Sequence, residues 1–199
     1  KENDKMHEMQ FNMPGEHNVL NCLAAIAVSR ELGISVKNIQ KSLKSFPGIK
    51  RRFEILGNYK TNNKSFIWID DYGHHPTEIK EVLRTIKKVW EKKNITMVFQ
   101  PHRYSRTAEH FNYFIDVLKS VDNLILMEIY SANEKIIDNI SSEVIASEIK
   151  KFNKNVLLIN DHNMIANYVD NNISNDDILL TMGAGSISKF INYYKDKIS

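Results

Sequence analysis

The chain predicts an α/β fold: a mostly parallel sheet flanked by helices, entered through an N-terminal hairpin and preceded by an all-helical lead of about fifty residues. Three observations carry this. Beyond residue 50, short continuous apolar runs alternate with amphipathic stretches, as in strands covered on both faces. Before residue 50 only helical periodicity occurs. Between the two regions stands Pro47-Gly48, which ends a helix and changes the pattern.

In the lead, residues 17–32 place Val19, Leu20, Leu23, Ala24, Ile26, Ala27 and Val28 in a broad stripe, and Gly33 fits the cap that follows. A second helix follows Ser35, a natural N-cap, and runs to about Ser45 with Val36, Ile39, Leu43 and Phe46 on one side. Phe53–Gly57 and Ser65–Asp70 then read as two strands around a polar turn over 58–64, hence the hairpin. Helices are predicted at 77–91, 107–119, 141–152, 162–170 and 186–197. Strands are predicted at 95–99, 123–129, 156–159 and 178–182.

Bulk composition narrows the functional classes. With 42% hydrophobic and 26% charged residues, the chain has an ordinary globular composition. A net charge of +3, spread as lysine, gives no reason to expect a nucleic-acid partner, although small anions suit it. Cys22 is the single cysteine, so no intramolecular disulfide can form, and a cytoplasmic setting is expected, with Cys22 as an inert core thiol. No apolar run approaches the ~18 residues of a membrane span, and no signal peptide is visible. Lys1–Met9 lacks a clear start signal and reads as the middle of something longer.

Arginine use is selective: six arginines stand against twenty-one lysines, and four of the six fall in two loops. These are Arg51 and Arg52 in Phe46–Phe53, and Arg103 and Arg106 in Gln100–Thr107. A guanidinium is a rigid planar fork suited to carboxylates and phosphates, so these loops are read as anion-handling. Ligands of open parallel sheets collect beyond the strands' carboxyl ends. Asp70–His75, Gln100–Arg106, Tyr130–Glu134 and Gly183–Gly185 all follow strands and are expected to share one rim.

Each loop has its own chemistry. Asn18 and Asn21 lie on one helical face and can offer amides to a nucleobase edge, with helix capping by His17 or Asn18 as the plainer reading. Asp70-Asp71-Tyr72-Gly73-His74-His75 could hold a ribose diol, shuttle protons or bind metal. Metal is the weaker reading, because the histidines are adjacent rather than three or four apart. If His102–Arg106 makes a turn, Arg103 and Arg106 converge on one anion; surface salt bridges are the alternative. Gly183-Ala184-Gly185 would let backbone N–H groups approach a ligand, though any tight turn between strand and helix needs similar glycines.

Taken together, these loops resemble the Mur ligases, ATP-dependent enzymes that add amino acids to the nucleotide-linked precursor of peptidoglycan. Pro14–Asn21 is similar to the family's GxHNxxN segment, Phe46–Phe53 to FxGxxRRF, Asp70–Glu78 to DDYGHHPTE, Phe99–Thr107 to FQPHRYSRT and Gly183–Gly185 to its late GAG turn. The third and fourth forms favour the branch that adds L-alanine to UDP-N-acetylmuramate; the murein-tripeptide recycling branch lacks HRYSRT. The resemblance implies residues 1–49 as the end of a central ATP-binding domain and 50–199 as a Rossmann-like C-terminal domain. It implies missing N-terminal and central domains, because the family's GTHGKT phosphate loop, its UDP-binding region and most Mg2+ ligands have no counterpart here.

Carried over by position, the resemblance assigns His17, Asn18, Asn21, Arg52 and Asp71 to the nucleotide, with Arg51 flanking. It assigns His74, His75, His102, Arg103, Arg106, Gly183 and Gly185 to L-alanine and the acyl group. ATP and Mg2+ are the implied cofactors; no metal ligand and no catalytic base are assigned within this chain. The expected function is part of an amide-forming, ADP-producing ligase of cell-wall synthesis, inactive by itself. Two readings from other classes are a non-catalytic nucleotide- or anion-binding module and a metal hydrolase centred on Asp70, Asp71, His74 and His75.

Overall fold

Helix α1 (Glu16–Glu31) opens the chain of a computed structural model that describes residues 6–61, 64–152 and 155–198. Its end is set by Gly33, which takes φ 76° while its N–H bonds Arg30 O and the Ile34 N–H bonds Ser29 O. Helix α2 (Val36–Lys44) starts where Ser35 accepts the Asn38 N–H, as expected of an N-cap. Cys22 is buried, and burial pushes its thiol pKa up, as suits an inert group. Much of the expected stripe of α1 is not covered: Val19, Leu20, Leu23 and Val28 are exposed.

The sheet has six strands in the order β1-β2-β6-β3-β4-β5. Strands β1 (Glu54–Thr61) and β2 (Lys64–Asp71) form the antiparallel hairpin; β3 (Ile95–Phe99), β4 (Asn123–Leu126), β5 (Asn155–Leu158) and β6 (Asp177–Met182) add parallel pairings. Alternation along each strand separates two cores. Ile69, Met97, Phe99, Leu124 and Leu180 face α3 (Pro76–Val89), α5 (Phe111–Leu118) and α6 (Ser142–Lys150). Trp68, Val98, Ile125 and Leu179 face α7 (His162–Asn172) and α8 (Ile187–Ile198). The chain travels outward from β2 to β5, then returns to insert β6 between β2 and β3. That insertion brings Asp71, Met182 and Phe99 to one level: Asp71 pairs with Met182, and Met182 with Phe99.

Three elements depart from expectation. The polar segment read as a turn is largely strand: Asn58 to Thr61 pair with β2, because Tyr59 packs on Phe66 and Trp68 and Thr61 bonds Asp170. Residues 62 and 63 of that segment lie outside the described residues, as do Lys1–Lys5 of the opening segment. The helix predicted at 107–119 starts earlier and is broken at His110, giving α4 (Tyr104–Glu109) and then α5. The strand predicted at 123–129 ends at Leu126, after which the chain leaves the sheet to run against the loop that follows β3.

Candidate functional site

The two loops after β3 and β4 are zipped together by backbone bonds. The Met127 N–H donates to Phe99 O, Tyr130 N–H to Pro101 O and Arg103 N–H to Tyr130 O. This fixes His102, whose ring stacks on Tyr130 with centroids 5.5 Å apart. Arg106 lies in the first turn of α4, and its Nη1 donates to both His102 Nδ1 (3.2 Å) and His102 O (3.1 Å). Arginine has no acceptor, so His102 Nδ1 bears the lone pair and Nε2 carries the proton of the neutral ring. Burial, then the nearby His74, Arg106 and Arg103 charges, hold the His102 pKa below the ordinary histidine value.

His74 has the opposite tautomer. Its Nδ1 lies 3.1 Å from Tyr72 O and 3.8 Å from Glu78 Oε2, so Nδ1 carries the proton and Nε2 is the acceptor. The rings of His74 and His102 are 5.5 Å apart. One fixed donor and one fixed acceptor thus stand side by side at the rim. The forks of Arg103 and Arg106 are engaged separately: Arg103 Nη1 lies 3.9 Å from Glu134 Oε1, whereas Arg106 turns back on His102. Both guanidiniums nevertheless act on the same imidazole.

We expect site-resolved NMR to place the His102 titration midpoint below about 6.5; a midpoint at or above it would contradict this geometry. By linkage, a lowered histidine contributes stability that is full above about 6.5 and is lost as pH falls towards its native value. Asp70 and Asp71, pushed up chiefly by burial, act in the opposite sense: their contribution is present at low pH and is lost as pH rises through their raised values. The ring titration, not a global unfolding curve, therefore isolates the histidine.

A cavity of about 420 Å³ opens beside this rim, lined by His17, Asn18, Asn21, Arg52, Asp71 and Glu78 among others. Its walls come from α1, the segment before β1, the end of β2 and the first turns of α3. All five residues expected to contact a nucleotide line it. His17 Nδ1 is turned in beside Gly15, buried and with no hydrogen-bond partner among the described residues. Asn18 does not cap the helix; its Nδ2 donates to Pro14 O (2.7 Å), and the Gly15 N-cap has no side-chain bond. Asp71 is buried and ties the loops, with Oδ2 accepting from Phe53 N–H (2.7 Å) and Oδ1 from Gly73 N–H (2.6 Å). Arg52 reaches Glu78 at 3.3 Å and lies 5.7 Å from the centre of the Tyr72 ring.

Three groups singled out from the sequence are engaged by the protein itself. His75 offers no nitrogen to a substrate: Nδ1 accepts the Thr77 N–H and Nε2 lies 3.0 Å from His110 Nε2. Gly183 and Gly185 are required as glycines by packing within the protein. A β-carbon on Gly183 would sit 2.6 Å from Gln100 O, and one on Gly185 2.6 Å from Gln100 Oε1 and Tyr130 Cβ. The Gly183 N–H is spent on Asp71 O, and Gln100 Oε1 accepts from Ile187 N–H. Their small size lets three strand ends meet. Arg51 likewise grips protein rather than ligand, through Asp70 and Gly183 O.

Sequence reasoning placed Gln100 and Tyr130 in rim loops without giving either a role, and it missed His110, which sits inside a segment read as one continuous helix. Among the described residues no group of three His, Cys, Asp or Glu could hold a metal ion, Asp70, Asp71, His74 and His75 included.

Fold and rim together define an open α/β domain whose candidate site lies at the carboxyl ends of a parallel sheet, beside a polar cavity walled by the helical lead. Residues 51–185 match the family described as Mur ligase, glutamate ligase domain, and the chain belongs to the Mur ligase family. It is 41% identical over 193 residues to a UDP-N-acetylmuramate–L-alanine ligase of Legionella pneumophila, covering 96% of this chain and 41% of that relative. Identity to the corresponding Buchnera aphidicola ligase is 44% over 192 residues, covering 93% of this chain and 40% of the relative. The crystal structure of the UDP-N-acetylmuramate–alanine ligase from Thermotoga maritima superposes with a TM-score of 0.78 at 28% identity, over 99% of this chain and 41% of that one. A murein peptide ligase from Psychrobacter arcticus shares the fold, with a TM-score of 0.70 at 23% identity, over 96% of this chain and 38% of that one. The chain thus spans about two fifths of the length of the curated relatives it matches.

Proposed function

We propose that this chain is the C-terminal part of a cytoplasmic, ATP-dependent ligase that joins L-alanine to the carboxylate of UDP-N-acetylmuramate in peptidoglycan precursor synthesis. The observation that carries this is the adjacency of two sites of different chemistry: a cavity lined by His17, Asn18, Asn21, Arg52 and Asp71, and a rim of His74, His102, Arg103 and Arg106. The relatives, UDP-N-acetylmuramate–L-alanine ligases, supply the reaction class. Among the described residues no helix is long and apolar enough to cross a membrane.

In this reading ATP phosphorylates the muramyl carboxylate, the alanine amine attacks the acyl phosphate, and the tetrahedral intermediate collapses to amide and phosphate, with ADP formed in the first step. Alanine offers little but its charged ends, so recognition falls to fixed polar groups. The His102 Nε2–H and the Arg106 fork would bind its carboxylate; the His74 Nε2 lone pair would accept from its ammonium. Asn18 Oδ1 and Asn21 would meet the adenine edge with His17 adjacent, and Arg52 the phosphates. Asp71 would hold the ribose through its remaining lone pairs. Among the described residues no group of three His, Cys, Asp or Glu could hold Mg2+, most of whose ligands would lie in the part of the enzyme that this chain does not span.

We also infer that residues 1–49 close a central ATP-binding domain and that 50–199 form the C-terminal domain. The exposed Val19, Leu20, Leu23 and Val28 support this, because so many uncovered apolar side chains on one helix call for cover from further chain. The test is phosphate release dependent on ATP, L-alanine and UDP-N-acetylmuramate. A polypeptide of the relatives' full length should show it, and residues 1–199 alone should not. Release by the isolated chain, or none by the full-length polypeptide, would refute the reading.

A further inference from the structure

His110 interrupts what would otherwise be one helix from Tyr104 to Leu118, with φ −111° and ψ 21°. Its side chain makes no capping bond at the start of α5, so the break is not explained by local helix chemistry. The ring instead lies across from His75, with centroids 4.4 Å apart and Nε2 3.0 Å from His75 Nε2. His75 belongs to a different element, the N-cap of α3, where it forms a capping box with Glu78.

The protons of this pair can be assigned from one neighbour. The Thr77 backbone N–H can only donate, so His75 Nδ1 must be the acceptor of their 3.2 Å contact. Neutral His75 then carries its proton on Nε2 and donates it to His110 Nε2. His110 is thereby left with its proton on Nδ1. No other arrangement of two neutral rings satisfies all three atoms. A second proton on His75 would set N–H against the Thr77 N–H; one on His110 would set N–H against N–H across the bridge.

We propose that His110 is a positioning residue: with His75 it forms a bridge of two neutral imidazoles that holds α4, and so Arg103 and Arg106, at a set distance from the first turn of α3. That first turn carries Thr77 and Glu78, which line the 420 Å³ cavity. The bridge therefore spaces the cavity against the arginine-bearing rim, and it opens when either ring takes up a second proton. The functional half of this rests on the reading of Arg106 as the alanine carboxylate fork.

Charged and titratable groups around the pair act in both directions. His75 meets His74 and Glu78 beside it in the α3 capping segment, and Arg106 and His110 from the α4 side. Arg106, His74 and His110 oppose its protonation and Glu78 favours it; burial is the largest opposing influence, and the native value lies below the ordinary one. His110 has the exposed Glu109 carboxylate 3.9 Å from its Nε2. The two rings share one bond, so they titrate as a coupled unit.

The test has two arms. In long-range 1H–15N spectra of this chain at pH 7.5, His75 should show a bare Nδ1 and His110 the less common Nδ1–H tautomer. Lowering the pH to about 5 should change both rings in one linked transition. A His110 ring in the Nε2–H form, or two independent titrations, overturns the bridge. In the full-length polypeptide at pH 7.5, His110→Phe should raise KM for alanine about tenfold without changing KM for ATP. His110→Gln, whose amide oxygen accepts the same bond, should restore KM at pH 7.5. Unchanged alanine KM in His110→Phe overturns the positioning role. Absence of ligase activity in the unsubstituted full-length polypeptide would instead defeat the ligase reading, and the spectra would still decide the bridge.

Discussion

Replacing Arg106 with alanine in the full-length polypeptide is expected to lower kcat/KM for L-alanine by about a hundredfold, with KM for ATP nearly unchanged. Two losses combine. A charge-assisted bond from a guanidinium contributes about 1.5–3 kcal/mol, and each 1.4 kcal/mol is tenfold in rate. The substitution also frees His102, whose Nδ1 and carbonyl are both held by Arg106 Nη1. Without that donor the imidazole no longer has a fixed tautomer, and its Nε2–H is not reserved for the substrate. Arg106→Lys should recover little, because a single ammonium cannot hold His102 and grip a carboxylate in the same planar geometry. Steady-state kinetics in each substrate separately decide the matter. Equal damage to alanine and ATP use would remove Arg106 from the amino-acid site.

The second large effect concerns stability. Arg51→Ala in this chain should cost about 3–5 kcal/mol, because it strands a buried carboxylate. Asp70 is only 2% exposed; its Oδ2 accepts from Arg51 Nε at 2.9 Å and its Oδ1 from Thr181 Oγ1 at 2.9 Å. Thr181 in turn receives the Trp68 indole N–H, and Arg51 Nη2 reaches Gly183 O. The cluster joins the segment before β1 to β2 and β6. Burial already raises the Asp70 pKa while Arg51 lowers it, so losing Arg51 drives the carboxyl further up. The variant's deficit should therefore shrink as pH falls and Asp70 becomes neutral. Urea unfolding at pH 7.5 and 5.5 measures this. The double variant Arg51→Ala/Asp70→Ala should be less destabilised than Arg51→Ala alone. A double variant that simply adds the two losses would show that the pair is not coupled.

The same guanidinium chemistry explains why loop arginines mislead when read from sequence. Arg51 and Arg52 are neighbours in one motif, yet one grips a buried aspartate and the other lines the cavity. The adjacent histidines also divide. His74 keeps an acceptor nitrogen at the rim, whereas both nitrogens of His75 are taken by Thr77 and His110. Adjacent residues on an extended segment point in opposite directions, so their separation was foreseeable; which ring faced which partner was not. Gly183 and Gly185 show the same limit. Their need for a missing side chain was visible, but Gln100 and Tyr130 occupy the space that a ligand was expected to fill.

Periodicity and apolar runs were enough, without coordinates, to reach the α/β class, the hairpin, the parallel strands and the shared rim. These follow from local rules: a side chain alternates along a strand, repeats along a helix, and ligand loops follow strand ends. Only the folded chain decided the extension of β1, the break at His110 and the opposite proton placements on His74 and His102. The hairpin and the break depend on partners distant in sequence, Asp170 and His75; the tautomers depend on nearby groups, Tyr72 O and Arg106, that only the folded loops turn to face the rings. A proton's position on an imidazole is set by the group facing it, and that group is chosen by tertiary packing.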